Sequence, residues 1–140
     1  MVSRAPEVVT VPLRVFVADD DDELRTLVVD TLRADGCTVV EARDGAELLA
    51  LLEDAFEDPS TRPDLIVSDA CMPHLSGLGV LEAMKRAHIS VPMLIMTGFV
   101  PPSVGVVARR LGGLGVLSKP FDVNALRIAV ARAAAGNSTW

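Results

Sequence analysis

The chain has 140 residues, half of them apolar, and a formal net charge of -6. That length fits one domain with a core of its own, and the apolar content excludes an intrinsically disordered protein. Its 13 Lys and Arg are scattered rather than clustered, so the chain alone is not expected to bind nucleic acid, where phosphate neutralisation dominates affinity.

No apolar stretch is long enough to span a membrane, and residues 1–10 lack the apolar core of a secretion signal. Cys37 and Cys71 form no metal-ligand or redox spacing. They read as free thiols in a reducing compartment, and a cytoplasmic location is the expectation.

Residues 1–12, interrupted by Pro6 and Pro12, are expected to be a tail, followed by one domain over residues 13–134 and a second tail over residues 135–140. The first apolar run, Val15-Phe16-Val17-Ala18, leads into Asp19-Asp20. Leu24, Leu27, Val28, Thr31 and Leu32 then recur at helical spacing and predict a helix with one apolar face, stopped by Gly36. Residues 37–42 read as a second strand. Asp44 and Glu47 are spaced as a capping box for a helix through Leu48, Leu49, Leu51 and Leu52. Residues 56–62, with Pro59 and Ser60, read as a loop.

Leu65-Ile66-Val67-Ser68 is a third strand ending at Asp69. A loop at Met72-Pro73-His74 leads to Ser76-Gly77, where a third helix turns Val80, Leu81 and Met84 inward. Met93-Leu94-Ile95-Met96 is a fourth strand ending at Thr97. Pro101-Pro102 opens a fourth helix and Gly112-Gly113 closes it. Leu114-Gly115-Val116-Leu117-Ser118 is a fifth strand, leading to Lys119-Pro120. Asp122 caps a last helix through Ala125, Leu126, Ala129 and Val130, which stops near Gly136.

Short unbroken apolar runs between helices read as buried parallel strands. Right-handed crossovers then make the domain α/β, a doubly wound parallel sheet with helices on both faces. Ligands in such sheets sit beyond the carboxyl ends of the strands. Asp19, Asp20, Asp69, Thr97 and Lys119 would gather there.

Residues 19–23 are five consecutive acids. Asp21, Asp22 and Glu23 suit a solvated helix start. Asp19 and Asp20 lie at the strand end itself, and packing them beside Asp69 costs roughly 4 kcal/mol per close like-charge pair at an effective dielectric near 20. A cation is the main remedy. Mg2+ fits best, being hard, oxygen-seeking and content with few carboxylates. Carboxyl groups sharing protons are the alternative. One carboxylate beside a metal can act as a nucleophile toward phosphorus, with a lysine and a hydroxyl receiving charge on the phosphoryl oxygens. Taken singly, Lys119 also fits a surface lysine and Thr97 an ordinary strand end.

Over residues 13–132 the sequence resembles the receiver domain of two-component response regulators, in the acid pair after the first strand, the "SDACMPHLSG" stretch, Thr97-Gly98 and "LSKPF". The resemblance implies a flavodoxin-like sheet of strand order 2-1-3-4-5, with residues 13–134 as the receiver domain. It implies that Asp69 is the phosphoacceptor, that Asp20 ligates Mg2+ directly and Asp19 mostly through water, and that the Cys71 backbone carbonyl completes the protein ligands. Thr97 would be the switch hydroxyl and Lys119 the phosphate-pairing lysine, with the Lys119-Pro120 peptide cis. The implied donor is a phosphohistidine on a histidine kinase or histidine phosphotransfer protein. Phosphorylation would repack the face formed by the fourth helix, fifth strand and fifth helix, through which a homodimer or downstream effector would bind. The receiver acts on itself and is not a turnover enzyme.

Some positions depart from the family pattern. Val116 stands where an aromatic switch residue is usual, Gly98 where alanine is commoner. Cys71 and Phe99 flank the site and are poor at positioning water, which predicts slow self-dephosphorylation. Val104, Val106, Val107 and Val116 are either an apolar docking patch or, for the most part, core. A lone loop histidine such as His74 is expected to be solvated.

Three other readings compete. A haloacid-dehalogenase-like phosphatase would use Asp20 and Asp22 in an Asp-x-Asp arrangement. A pseudo-receiver would only bind partners, and its usual sign, a missing acid or lysine, is not seen. A dinucleotide fold is remote, since Gly77-Leu78-Gly79 lacks the third glycine. The chain is either a stand-alone receiver or a piece of a longer regulator or hybrid kinase, and the sequence leaves both open.

Overall fold

Each apolar run forms a strand: β1 (Arg14–Ala18), β2 (Thr38–Ala42), β3 (Leu65–Asp69), β4 (Met93–Thr97) and β5 (Gly115–Ser118). Between and after them run α1 (Asp22–Ala34), α2 (Gly45–Ala55), α3 (Gly77–Arg86), α4 (Pro102–Arg110) and α5 (Val123–Ala134). The computed structural model describes residues 13–98, 102–110, 112–113 and 115–136. The expectations for residues 1–12, Phe99, Pro101, Leu114, the Val104 side chain and residues 137–140 lie outside the described residues.

The strands pair in parallel in the order β2-β1-β3-β4-β5, as the resemblance implies. Alternate side chains of each strand face opposite layers. Val15, Val17, Val67 and Met96 pack with Val28, Val29 and Leu32 of α1 and Leu126 and Val130 of α5. Phe16, Ile66, Met93 and Ile95 pack with Leu48 and Leu52 of α2, Val80, Leu81 and Met84 of α3, and Ala108 of α4. Both faces are therefore covered, which is why the strands read as continuous apolar runs rather than alternating ones. Full burial of each large aliphatic side chain contributes about 1.5–3 kcal/mol.

The helix ends follow from named residues. Asp21 caps α1 by accepting from the Glu23 and Leu24 amides, at 3.0 and 3.2 Å. Asp44 accepts from the Glu47 amide at 2.8 Å and Asp122 from the Ala125 amide at 2.7 Å. Gly36 leaves α1 at φ 92°, a conformation that favours glycine.

Three expectations are corrected. Leu27 was placed on the buried face of α1 but is 46 % exposed. Val28, Thr31 and Leu32 are buried and Leu24 packs on the core, as expected, while Arg25 and Val29 join the buried face in place of Leu27. Residues 56–62 are not all loop. Asp58 caps a single 3-10 turn over Pro59–Thr61 and accepts from the Ser60 amide at 2.9 Å. Val106 and Val107 are not core, being 49 % and 40 % exposed on α4.

Gly77 matters for the site. A Cβ there would meet the backbone oxygen of Asp69 at 2.5 Å, whereas a Cβ at Gly98 meets nothing nearer than the Lys119 Cβ at 3.9 Å. The start of α3 thus presses on the backbone that carries Asp69, and a methyl group has no space there. We expect Gly77→Ala to destabilise the fold by roughly 1–3 kcal/mol and Gly98→Ala to leave it nearly unchanged. Urea unfolding of both variants checks this, and equal midpoints would contradict it.

Candidate functional site

The parallel register sets the rim. Ala18 lies opposite Ser68 in the β1–β3 pair, so the next residues, Asp19 and Asp69, leave neighbouring strands at the same level. Both continue the parity of Val17 and Val67, which face the α1 and α5 layer. Thr97 ends β4 opposite Ser118, and the Lys119 amide donates to the Thr97 carbonyl at 2.8 Å. Lys119 thereby follows Thr97 at the rim, with its peptide to Pro120 cis.

The side chains converge. Carboxylate oxygens of Asp19, Asp20 and Asp69 all lie within 4.8 Å of one another. The Lys119 Nζ is 3.1 Å from Asp69 Oδ1 and 3.5 Å from Asp19 Oδ2. Asp19 is fully buried, Asp69 and Thr97 are buried, and Asp20 is exposed. Cys71, two residues beyond Asp69, has an exposed free thiol, and His74 is exposed as expected. The donor set is all oxygen and unites a buried acid with an exposed one. That suits a hard divalent cation reached from solvent, with Asp19, Asp20 and Asp69 able to hold it.

Charge at the site is only partly balanced. Burial raises the Asp19 pKa above 3.8. The Asp21 amide, which donates to Asp19 Oδ1 at 2.9 Å, opposes the rise, Asp69 adds to it and Lys119 opposes it. For Lys119 burial alone would lower the pKa, but the hydrogen bond to Asp69 and the charges of Asp19 and Asp69 outweigh it and raise the pKa above 10.5. The single ammonium therefore leaves an excess of negative charge.

Sequence reasoning missed Arg25. Its side chain is buried, and Nη1 donates to the Asp19 backbone carbonyl at 2.8 Å, Nη2 to Asp22 at 2.6 Å and Nε to Glu41 at 3.3 Å. The available signal was its spacing with Val28, Val29 and Leu32 on one helical stripe. Asp22 is engaged there, on α1 with its side chain 82 % exposed, and it stands apart from the acidic cluster. The Asp20–Asp22 arrangement of a dehalogenase-like phosphatase is therefore not formed. Asp21, Asp22 and Glu23 serve the solvated helix start, as expected.

A groove of ≈ 610 Å³ opens beside Lys119, lined by Leu24, Leu27, Pro120 and Phe121 with Asp21 and Glu23. The exposed Leu27 forms part of its wall. Among the described residues no helix is long and apolar enough to cross a membrane.

The folded state binds Asp19's proton more tightly than the unfolded chain, so stability falls as pH rises through the window above 3.8. The contribution of Lys119 is complete below 10.5 and is lost as pH rises through its higher folded value. At pH 7 without divalent ions, Asp19→Asn should therefore raise the melting temperature, and the gain should shrink as pH is lowered toward 3.8. Added Mg2+ should stabilise the parent protein more than the variant, because a ligand bound only to the folded state raises its stability. Calorimetric melts at several pH values test this; a lower melting temperature for the variant at pH 7 would contradict it.

Comparison with known proteins bears on the same residues. A family model described as the response regulator receiver domain matches residues 15–131. The DNA-binding transcriptional regulator NtrC of Escherichia coli K12 is 34 % identical over 119 residues, which cover 85 % of this chain and 24 % of that protein. The transcriptional regulatory protein CpxR of the same organism is 32 % identical over 127 residues, covering 91 % of this chain and 51 % of CpxR. The chain thus spans about a quarter and about half of the lengths of these relatives. Among solved structures, the Vibrio cholerae chemotaxis protein CheY4 superposes with a TM-score of 0.77 at 30 % identity, over 86 % of this chain and 98 % of that one. The receiver domain of NarL from Mycobacterium tuberculosis gives 0.78 at 29 % identity, over 90 % and 98 %.

Proposed function

Since this chain belongs to the response regulator receiver family, we propose that it accepts a phosphoryl group on Asp69 from a phosphohistidine donor and thereby switches a partner-binding surface. The observation that carries the proposal is the Lys119 ammonium 3.1 Å from Asp69, beside three carboxylates whose oxygens lie within 4.8 Å.

In this reading an Asp69 oxygen attacks phosphorus and forms the P–O bond of an acyl phosphate. The P–N bond of the donor breaks, and the released imidazole keeps the electron pair and takes up a proton from solvent. Lys119 pairs with one phosphoryl oxygen and the Thr97 hydroxyl donates to another. Asp19, Asp20, Asp69 and the Cys71 backbone carbonyl would hold Mg2+, Asp19 mostly through water. When bound, the ion offsets the charge that collects on the phosphoryl oxygens. Later hydrolysis adds water at phosphorus and regenerates the Asp69 carboxylate. Cys71, two residues beyond Asp69, is poor at positioning water, so that loss is slow. The chemistry falls on the protein itself, so it signals rather than turns over substrate.

The donor is a histidine kinase or histidine phosphotransfer protein, approaching along the groove at Leu27 and Phe121. Output runs through the face of α4, β5 and α5, toward a second copy or an effector. Val106, Val107 and Ile128 are exposed on those helices, which supports this choice. With a net charge of -6, the proposal includes no direct contact with nucleic acid. The cytoplasm is the proposed location.

Incubation with Mg2+ and acetyl phosphate, followed by intact mass, should show one added phosphoryl group. Asp69→Ala should abolish it. Lys119→Ala should slow it by about a hundredfold, the scale expected for removing a group that stabilises transition-state charge. Asp20→Ala should slow it through weaker metal binding. Labelling that survives in Asp69→Ala would overturn the assignment, and so would unchanged mass in folded parent protein.

A further inference from the structure

Arg25 occupies a place that three ordinary preferences oppose. Among the described residues it is the one buried cation, at 8 % exposure. It sits near the N-terminal end of α1, where the helix dipole disfavours positive charge. It also takes the first position of a buried face that is otherwise uncharged, with Val28, Val29, Thr31 and Leu32. An apolar side chain would complete that face, and replacing buried ion pairs by packed apolar groups is often neutral or stabilising. Packing alone does not explain an arginine here.

Its contacts do. The guanidinium joins three segments: the end of β1 through the Asp19 carbonyl, the first turn of α1 through Asp22, and β2 through Glu41. The Asp19 carbonyl belongs to the peptide that links Asp19 to Asp20. With its oxygen held by Arg25, and with Asp19 Oδ1 accepting from the Asp21 amide at 2.9 Å, the backbone at the acid pair is pinned at both ends. The direction of the exposed Asp20 side chain depends on that peptide plane. A planar, multiply donating group suits this task, and a lysine does not replace it.

We propose that Arg25 is a positioning residue for the acid pair: its guanidinium holds the Asp19–Asp20 peptide so that the carboxylates meet a divalent cation without first ordering the loop. This rests on the metal-dependent reading given above. Two effects of removing Arg25 have opposite signs. Loss of a nearby positive charge strengthens cation binding, and loss of loop order weakens it. Asp22 is 82 % exposed and Glu41 39 %, so solvent screens the charge that removal of Arg25 leaves uncompensated, and the ordering effect wins. Partners that orient metal ligands from behind typically set affinity by about 10–100-fold.

The test is Mg2+ affinity, measured by titration calorimetry on the full chain for the parent, Arg25→Met, Arg25→Lys and Glu41→Gln. Melting temperatures and circular dichroism on the same samples confirm folding. Arg25→Met should weaken Mg2+ binding about tenfold or more while the protein stays folded. Arg25→Lys should fall between, since it keeps the charge but reaches fewer acceptors, and Glu41→Gln should lose least. Amide exchange at Asp20 and Asp21 should speed up in step with the loss of affinity, which a purely structural role for Arg25 would not require. If Arg25→Met fails to fold, the lysine variant decides. Unchanged or tighter Mg2+ binding in the folded arginine variants overturns this inference and leaves the receiver reading intact. Failure of the parent protein to bind Mg2+ overturns both.

Discussion

Three carboxylates with oxygens inside 4.8 Å of one another repel at a rim where Asp19 and Asp69 are buried, and the organisation of the rim answers to that constraint. Lys119 supplies one positive charge, close to both Asp69 and Asp19. Burial nevertheless raises the Asp19 pKa, with Asp69 adding to the rise and Lys119 opposing it. One ammonium against three carboxylates leaves net negative charge that a divalent ion would offset.

The fold enforces this crowding rather than tolerating it. β1 and β3 are hydrogen-bonded neighbours, so their terminal acids leave the sheet side by side. β5 lies next to β4, and the cis peptide after Lys119 follows directly on the Thr97–Lys119 backbone bond. Gly77 lets α3 start against the Asp69 carbonyl, and Asp21 caps α1 so that the acid run divides cleanly between rim and helix. Local capping, strand register and two covered sheet faces all lead to the same cluster.

Most of this was legible in the sequence because strand ends are marked twice, by an apolar run and by the polar residue that stops it. Asp19, Asp69, Thr97 and Lys119 were found that way, and the parallel order of the sheet came with the family resemblance. What escaped has physical reasons. Leu27 matched a helical spacing, but so did Arg25 with Val28, Val29 and Leu32, and hydropathy alone picks the leucine; only the acids around Arg25 make the charged stripe the buried one. Gly77 read as a helix start, and nothing local reveals that the space beyond its Cα is filled by the backbone of Asp69, eight positions earlier. Val106 and Val107 sit beside the buried Ala108, so composition could not say which residues of α4 face inward.

The proposed cation site is the acid cluster built by the convergence of β1 and β3. Crystals soaked with Mn2+, whose anomalous scattering marks its position directly, test it most plainly. A single strong peak is expected among the carboxylates of Asp19, Asp20 and Asp69. Full occupancy elsewhere on the surface with none at this rim, or no bound ion at all, would contradict it.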